Sequence, residues 1–306
     1  MKLSVIDLYD NEKLLCDGEF ERLDILKCNK HEAILSFLEN EKFLSETRNK
    51  NITCIICKSE LVSFLPEHIH GIIVSTEPRI SFWKRFNELQ QPRKKFKTRI
   101  GNGCKIHPMA YIAENNVVIG NNVVIEEFVS IKENVTVGDN CIIRAGCILG
   151  GQGYEFKRSE KGILFPVEHF GGVIIGDDVE LQQLVNVSRS LAPDDDTVVG
   201  SGTKVDALVF IAHAVKIGHN CNIIAGVVLG GSVCIGDNVW IGPNATVSNG
   251  LHIGDYARIS LGSVVTRDVE AEKTVSGNFA IDHKIFIENI KASSREKRRS
   301  RTIEEI

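Results

Sequence analysis

No run of apolar residues in this chain approaches the roughly 18 needed to cross a membrane as a helix. Excess positive charge is also missing: 36 Lys and Arg stand against 40 Asp and Glu, a formal net charge of -4. That balance, with a pI near 6.2, argues against a protein dedicated to nucleic acid. The opening residues, MKLSVIDLYDNEKLL, lack the charged-then-apolar pattern and small-residue cleavage site of a signal peptide. Nine cysteines are present, but they are odd in number, scattered, and set in a 306-residue chain that needs no staples. They read as reduced, buried thiols, and the absences together point to a soluble protein of the cytoplasm.

What is present is a repeat of six residues. From Ile175 to Val265 every sixth residue can be read off, and fifteen of these sixteen are Ile, Leu or Val, Pro193 being the exception. The following residue is often glycine, as in Gly200, Gly218, Gly230 and Gly236. The fourth residue on is small or aliphatic, as in Val215, Cys221, Val227 and Ala245. A second run, Ile119 to Leu149, has the same period, with a lead-in at Ile106 and Ile112. A period of six fits neither a 3.6-residue helix nor a long alternating strand. It fits a triangular coil of eighteen residues with one short strand per side, stacked as parallel strands about 4.8 Å apart. The aliphatic residue then points inward, and the glycines are expected where corners need backbone freedom.

The repeat is flanked and interrupted. Residues 1–92 lack it and read as a small α/β domain, with strands at 52–58 and 71–75 and an amphipathic helix at 80–91. A basic linker, QPRKKFKTR (91–99), leads into the coil, expected over 100–270. Residues 151–174 break the phase and must leave the coil as a loop, the kind of excursion that carries binding function. Residues 271–306 read as a tail, helical over 283–292 and then basic from Arg295 to Arg301.

Three stretches resemble the UDP-3-O-acylglucosamine N-acyltransferases. They are GIIVSTEPRISFWKRF (71–86), GGQGYEF with GGVIIGDDVE (150–156 and 171–180), and TVVGSGTKVDALVFIAHAVKIGHNCNIIAGVVLGGSVCIG (197–236). The hexapeptide pattern is similar to that of the acyltransferases built on a left-handed parallel β-helix, and the hand of the coil is implied by that likeness alone. The likeness further implies an N-terminal domain that binds a uridine-type nucleotide and a catalytic histidine in the Ile211-Ala212-His213 motif. It also implies a homotrimer with sites between subunits, and acyl-CoA or acyl-carrier protein as co-substrate, with no bound cofactor or metal. The sequence departs from the pattern at Ala214, at Ser188-Arg189-Ser190, at Leu251 with His252 one place late, and at Glu77. The ending SLGSVVTRDV (260–269) is more similar to sugar acetyltransferases that use acetyl-CoA. Scaffold and base therefore carry over, while substrate and donor stay open.

Acyl transfer to an amine needs a base near working pH, which suits histidine. His213 follows the inward Ile211 by two residues, so its ring is expected outside the coil. Gly231 lies one coil on, directly above it, and its N–H is a candidate oxyanion donor. Asp206 and the run Asp194–Asp196, Asp195 foremost, are candidates to orient His213 or bind substrate hydroxyls. His219 belongs to another side of the prism and could share a site only across a trimer interface. His252 is a displaced stand-in for the family's second histidine, and Tyr154 a candidate contact on the excursion. In the N-terminal domain Phe82, Trp83 and Phe86 are candidates to stack a base, and the basic tail is a candidate dock for an acyl carrier protein. The expected function is N-acyl transfer to the amine of a nucleotide-linked amino sugar, for lipid A or surface polysaccharide. Two other readings stay open: a zinc hydratase of carbonic-anhydrase type, which needs three converging histidines, and a non-catalytic scaffold.

Overall fold

The computed structural model describes residues 1–26, 32–277, 282–285, 287, 288 and 291. The C-terminal basic run and most of the tail lie outside the described residues, so the carrier-docking idea has no structural counterpart here.

The hexads form a left-handed parallel β-helix. Its first face has nine strands, from Lys105–Ile106 to Thr274–Val275. The second face has eight, from Tyr111–Ile112 to Val264–Val265, and the third eight, from Arg99–Ile100 to His252–Ile253. The coil thus runs to Val275, five residues past the expected end. Most strands are two residues long and pair in register one coil apart, as Phe210 with Val228 and Ile211 with Leu229. The inward aliphatics are sealed: Ile211, Ile223, Leu229 and Ile241 are fully buried in one core that fills the prism. Cys141, Cys147 and Cys221 take the small inward position in that core, and burial pushes the first two thiols up to about 11. Cys16 and Cys234, by contrast, are exposed.

The corners need a backbone that is rare for L-residues. The third residue after each inward aliphatic has positive φ without a break from Ala214 through Asn220, Gly226, Ser232, Asn238, Asn244, Gly250 and Tyr256 to Gly262. Asparagine and glycine recur there because they tolerate this region at least cost. The glycines directly after the aliphatics answer a different need. Gly218 has no such φ, but a Cβ on it would stand 2.5 Å from the carbonyl oxygen of Gly236 on the next coil. Close approach of stacked backbones, rather than freedom at a turn, is what excludes a side chain at those positions.

The apparent continuity through Pro193 has a different origin from the one expected. The strand Val173–Ile175 pairs with Thr197–Val199, 24 residues on, where a plain coil takes eighteen. A second excursion therefore leaves the coil near residues 189–196, and it preserves the phase only because it is one hexad long. Pro193 lies in this bulge and not in the core.

The N-terminal domain is a five-stranded sheet in the order Glu12–Cys16, Gly71–Ser75, Ile52–Cys57, Ile34–Leu38, Arg22–Leu23. Its first pair is antiparallel and the rest are parallel. The helix Pro78–Leu89 packs on it, with proline in its first turn. The long excursion ends in a hairpin, Phe156–Arg158 against Leu164–Pro166. The hairpin docks on this helix: Asn87 donates to the Pro166 carbonyl at 3.0 Å and accepts from the Glu168 N–H at 3.0 Å. Val167 completes the domain's aromatic core. The excursion is thereby fixed between two bodies.

Candidate active site

Both excursions leave the coil after a strand of the second face, Ile148–Gly151 and Asn186–Ser188. The next strand of that face, Phe210–Ile211, leads into His213. Three successive levels of one corner thus carry the long loop, the short loop and the histidine. The two loops bond to each other, Phe170 N–H to the Leu191 carbonyl at 2.9 Å and Gly171 N–H to that of Ser190 at 3.0 Å. They drape over the next level.

His213 stands outside the prism core, as its spacing from Ile211 demands, yet its side chain is only 17% exposed because the loops cover it. Gly231 packs on the ring: a Cβ there would sit 2.5 Å from Nε2 and 2.6 Å from Cε1. Above, Ser232 N–H donates to the His213 carbonyl at 2.9 Å and Gly230 N–H to that of Val247 at 2.9 Å. The Gly231 N–H between them makes no hydrogen bond among the described residues. The third-to-first corner differs, since Asp237 and Asp255 there accept from the His219 and Asp237 N–H groups.

Glu155 reaches in from the long excursion, its Oε2 3.6 Å from His213 Nε2. Lys157 pairs with the other oxygen of Glu155 and lies 5.0 Å above the Trp83 ring of the N-terminal helix. His169, also on the excursion, meets His213 edge to face with ring centroids 5.6 Å apart. Its two ring nitrogens are buried and unpartnered, as is His213 Nδ1. Burial pushes His213 below the ordinary histidine value, with Glu155 pulling partly back up. Burial, with His213 beside it, pushes His169 down to about 4. Burial thus favours the neutral form of both rings, and a neutral imidazole can accept a proton.

The other residues singled out from sequence scatter. Asp195 is close: it pairs with Lys216 at 2.5 Å, accepts from Ser190 at 3.3 Å, and contributes to the field at His213. Its neighbours tie down the short excursion, Asp194 pairing with Arg22 of the N-terminal domain at 2.7 Å and Asp196 with Arg93 of the linker. Asp206 does not orient His213. It sits at the preceding corner and accepts from the Ala207 and Ala225 N–H groups at 2.7 and 3.2 Å. His219 is exposed at the following corner, so within one chain it shares nothing with His213. Among the described residues no three His, Cys, Asp or Glu side chains gather as a metal site. His252 is exposed on the third face, stacked in register above Cys234 and Lys216. Tyr154 is exposed and packs against Phe156 at 4.9 Å.

Phe82 needs correction as a stacking residue. The helix turns it inward, where it is fully buried against Phe37 and Trp83, each at 5.0 Å, and Phe86 is buried with them. The domain does hold a largely apolar cavity of about 310 Å³, lined by Ile25, Leu26, Phe37 and Phe43 together with Glu39, Glu46 and Arg79. Phe43 is the aromatic that is open to a ligand there. Glu155, Lys157 and His169 were not singled out from sequence. They lie where the hexad is broken, so no periodicity says which way they point.

The prism of stacked hexads places the chain in the class of hexapeptide acyltransferases. The bacterial transferase hexapeptide (six repeats) family model matches residues 116–151 and 235–267. The UDP-3-O-acylglucosamine N-acyltransferase of Campylobacter curvus is 33% identical over 285 residues, 87% of this chain and 88% of that protein. The chain therefore belongs to the UDP-3-O-acylglucosamine N-acyltransferase family. The Rhizobium meliloti member is 37% identical over 156 residues, 49% of this chain but 44% of its own length. Among solved structures, an Arabidopsis UDP-N-acetylglucosamine acyltransferase is 27% identical with a TM-score of 0.52, covering 59% of this chain and 62% of its own. A Campylobacter jejuni UDP-N-acetylglucosamine acyltransferase, 24% identical with a TM-score of 0.54 over 59% of this chain and 68% of its own, shares the fold.

Proposed function

We propose that this protein transfers an acyl group from a CoA or acyl-carrier-protein thioester to the amine of a nucleotide-linked amino sugar. The observation that carries this reading is His213, covered by the excursions and backed closely by Gly231, whose N–H makes no hydrogen bond among the described residues. In this reading His213 Nε2 takes the proton that the amine sheds on attacking the thioester carbonyl. The Gly231 N–H bonds the oxyanion of the tetrahedral intermediate, a type of contact worth about 3 kcal/mol in acyl transfer. Asp195, through Lys216, tempers the field around the base. The cavity at Phe37 and Phe43 suits a planar, partly apolar group, so it is the place for the nucleobase in the N-terminal domain.

A homotrimer belongs to the same reading. The outward residues of the second face beside the His213 corner include the exposed apolar Tyr111, Ile148, Phe210, Val228 and Val264, with Ser130, Asn186 and Thr246 set between them as a strip of mixed character. Such a strip on a rigid prism is suited to burial against a second copy. A cytoplasmic place in lipid A or surface polysaccharide synthesis follows from the substrates proposed, nucleotide sugars and thioesters.

The test is a thiol-release screen of the purified protein. Nucleotide-linked amino sugars are offered with acetyl-CoA, longer acyl-CoAs and acyl-carrier protein. Thiol release that depends on both substrates, with an amide product by mass, is expected. Release equal with and without the sugar overturns the proposal.

A further inference from the structure

Beside His213 the chain places a primary ammonium of its own. Lys157 Nζ is held by Glu155, whose second oxygen is 3.6 Å from His213 Nε2. The three groups are half-buried under the excursion, where a carboxylate is costly unless it has a cation. The acceptor in the proposed reaction is also a primary ammonium before it reacts. Resting on that reading, we propose that Glu155 is the ammonium-binding group of the acceptor site and that Lys157 Nζ marks the place the sugar nitrogen takes.

The lysine is built to give way. Its stem is flexible, and the Trp83 face, already 5.0 Å from Nζ while Glu155 holds it, remains as a partner for the cation once the carboxylate is taken. Once the sugar ammonium replaces it, the nitrogen stands within reach of His213 Nε2. The ammonium gives one proton to Glu155 and through it to solvent, and the neutral amine attacks the thioester carbonyl, shedding a second proton to His213. The C–N bond forms and the C–S bond breaks. The imidazolium returns its proton to the departing sulfur. Ammonium and thioester become amide, thiol and one released proton. A hydroxyl acceptor has no charge for Glu155 to bind and only one proton to lose. Glu155 therefore selects amine over hydroxyl, a choice that neither His213 nor Gly231 can make.

The experiment compares Glu155→Gln, Glu155→Asp and Lys157→Met in the full chain, by calorimetric binding of a nucleotide-linked amino sugar and of its hydroxyl counterpart without acyl donor. Glu155→Gln is expected to weaken amino-sugar binding about tenfold or more and to leave the hydroxyl sugar unchanged, with Glu155→Asp in between. Lys157→Met is expected to tighten amino-sugar binding or leave it as it was, because a competing cation is gone. Equal weakening in Glu155→Gln and Lys157→Met marks a merely structural ion pair and overturns the proposal, as does unaltered amine binding in Glu155→Gln. Binding is read without turnover, so a failure of the acyl-transfer reading would show in the thiol screen and not here.

Discussion

Gly231 lies one coil above His213, so near that a Cβ on it would stand 2.5 Å from the imidazole Nε2. The backbone at 231 is not in the left-handed region, so alanine is tolerable to the chain itself. What alanine cannot do is share space with the ring. Gly231→Ala should displace the His213 imidazole and lower kcat about a hundredfold, with little change in thermal midpoint. Steady-state kinetics beside a melting curve check this, and normal turnover would show that neither ring position nor the N–H at 231 matters.

His213→Ala removes the proposed base and leaves the inward core untouched, because the side chain stands outside it. Turnover should fall about a hundredfold or more, while circular dichroism and the melting midpoint stay close to the parent. If near-normal rates persisted at saturating substrate, some other group would have to take the proton.

The coil was legible because its cause is local. One aliphatic per six residues suffices to place Ile211 inward, His213 outward and Gly231 above it, with no knowledge of the loops. The excursions are not periodic, so nothing in the pattern says that Glu155 and His169 fold back over residue 213, or that residues 189–196 form a bulge disguised as a hexad. Phe82 failed for another reason. A helix carrying Phe82, Trp83 and Phe86 in five residues must bury most of them against its sheet, so their number on one helix argues for core rather than for a ligand contact. Asp206 is the capping residue of a different corner, a role that no linear spacing separates from catalysis.

Acid should act on the site through its two imidazoles. Folded His169 takes a proton only at about 4, whereas the unfolded chain does so near the ordinary value of 6.5. The folded state thus binds fewer protons in that window. Its share of stability is full above roughly 6.5 and is lost as pH falls toward about 4, with about 3 kcal/mol at stake. His169→Leu should flatten that part of the profile, so that the difference in unfolding free energy between parent and variant shifts in the variant's favour as pH drops from 7 to 4. Denaturant titrations at several pH values measure this, and parallel curves would refute it. His213 is shifted the same way by its burial, so kcat/KM should keep its neutral-pH value until below the ordinary histidine range.

Ala214 is the residue at the left-handed corner beside His213, with φ 58° and its N–H donating to Thr197 Oγ1 at 2.9 Å. Alanine in this region costs roughly 1–2 kcal/mol by the clash of Cβ with the backbone, a cost that asparagine lowers by local hydrogen bonding. The same hexad position carries asparagine at 220, 238 and 244 on the other corners and at 116 and 134 on this one, though serine at 232 and glycine at 250. Ala214→Asn should therefore stabilise the coil by about 0.5–1 kcal/mol, the opposite sign to most substitutions next to a buried site. Because the corner's backbone bond to Thr197 does not involve the side chain, the position of His213 should not change and kcat should stay within about twofold. A chemical-denaturation midpoint that moves down would mean that the Ala214 Cβ packs under the excursion in a way asparagine cannot match, and that the strain at this corner is the smaller of the two terms.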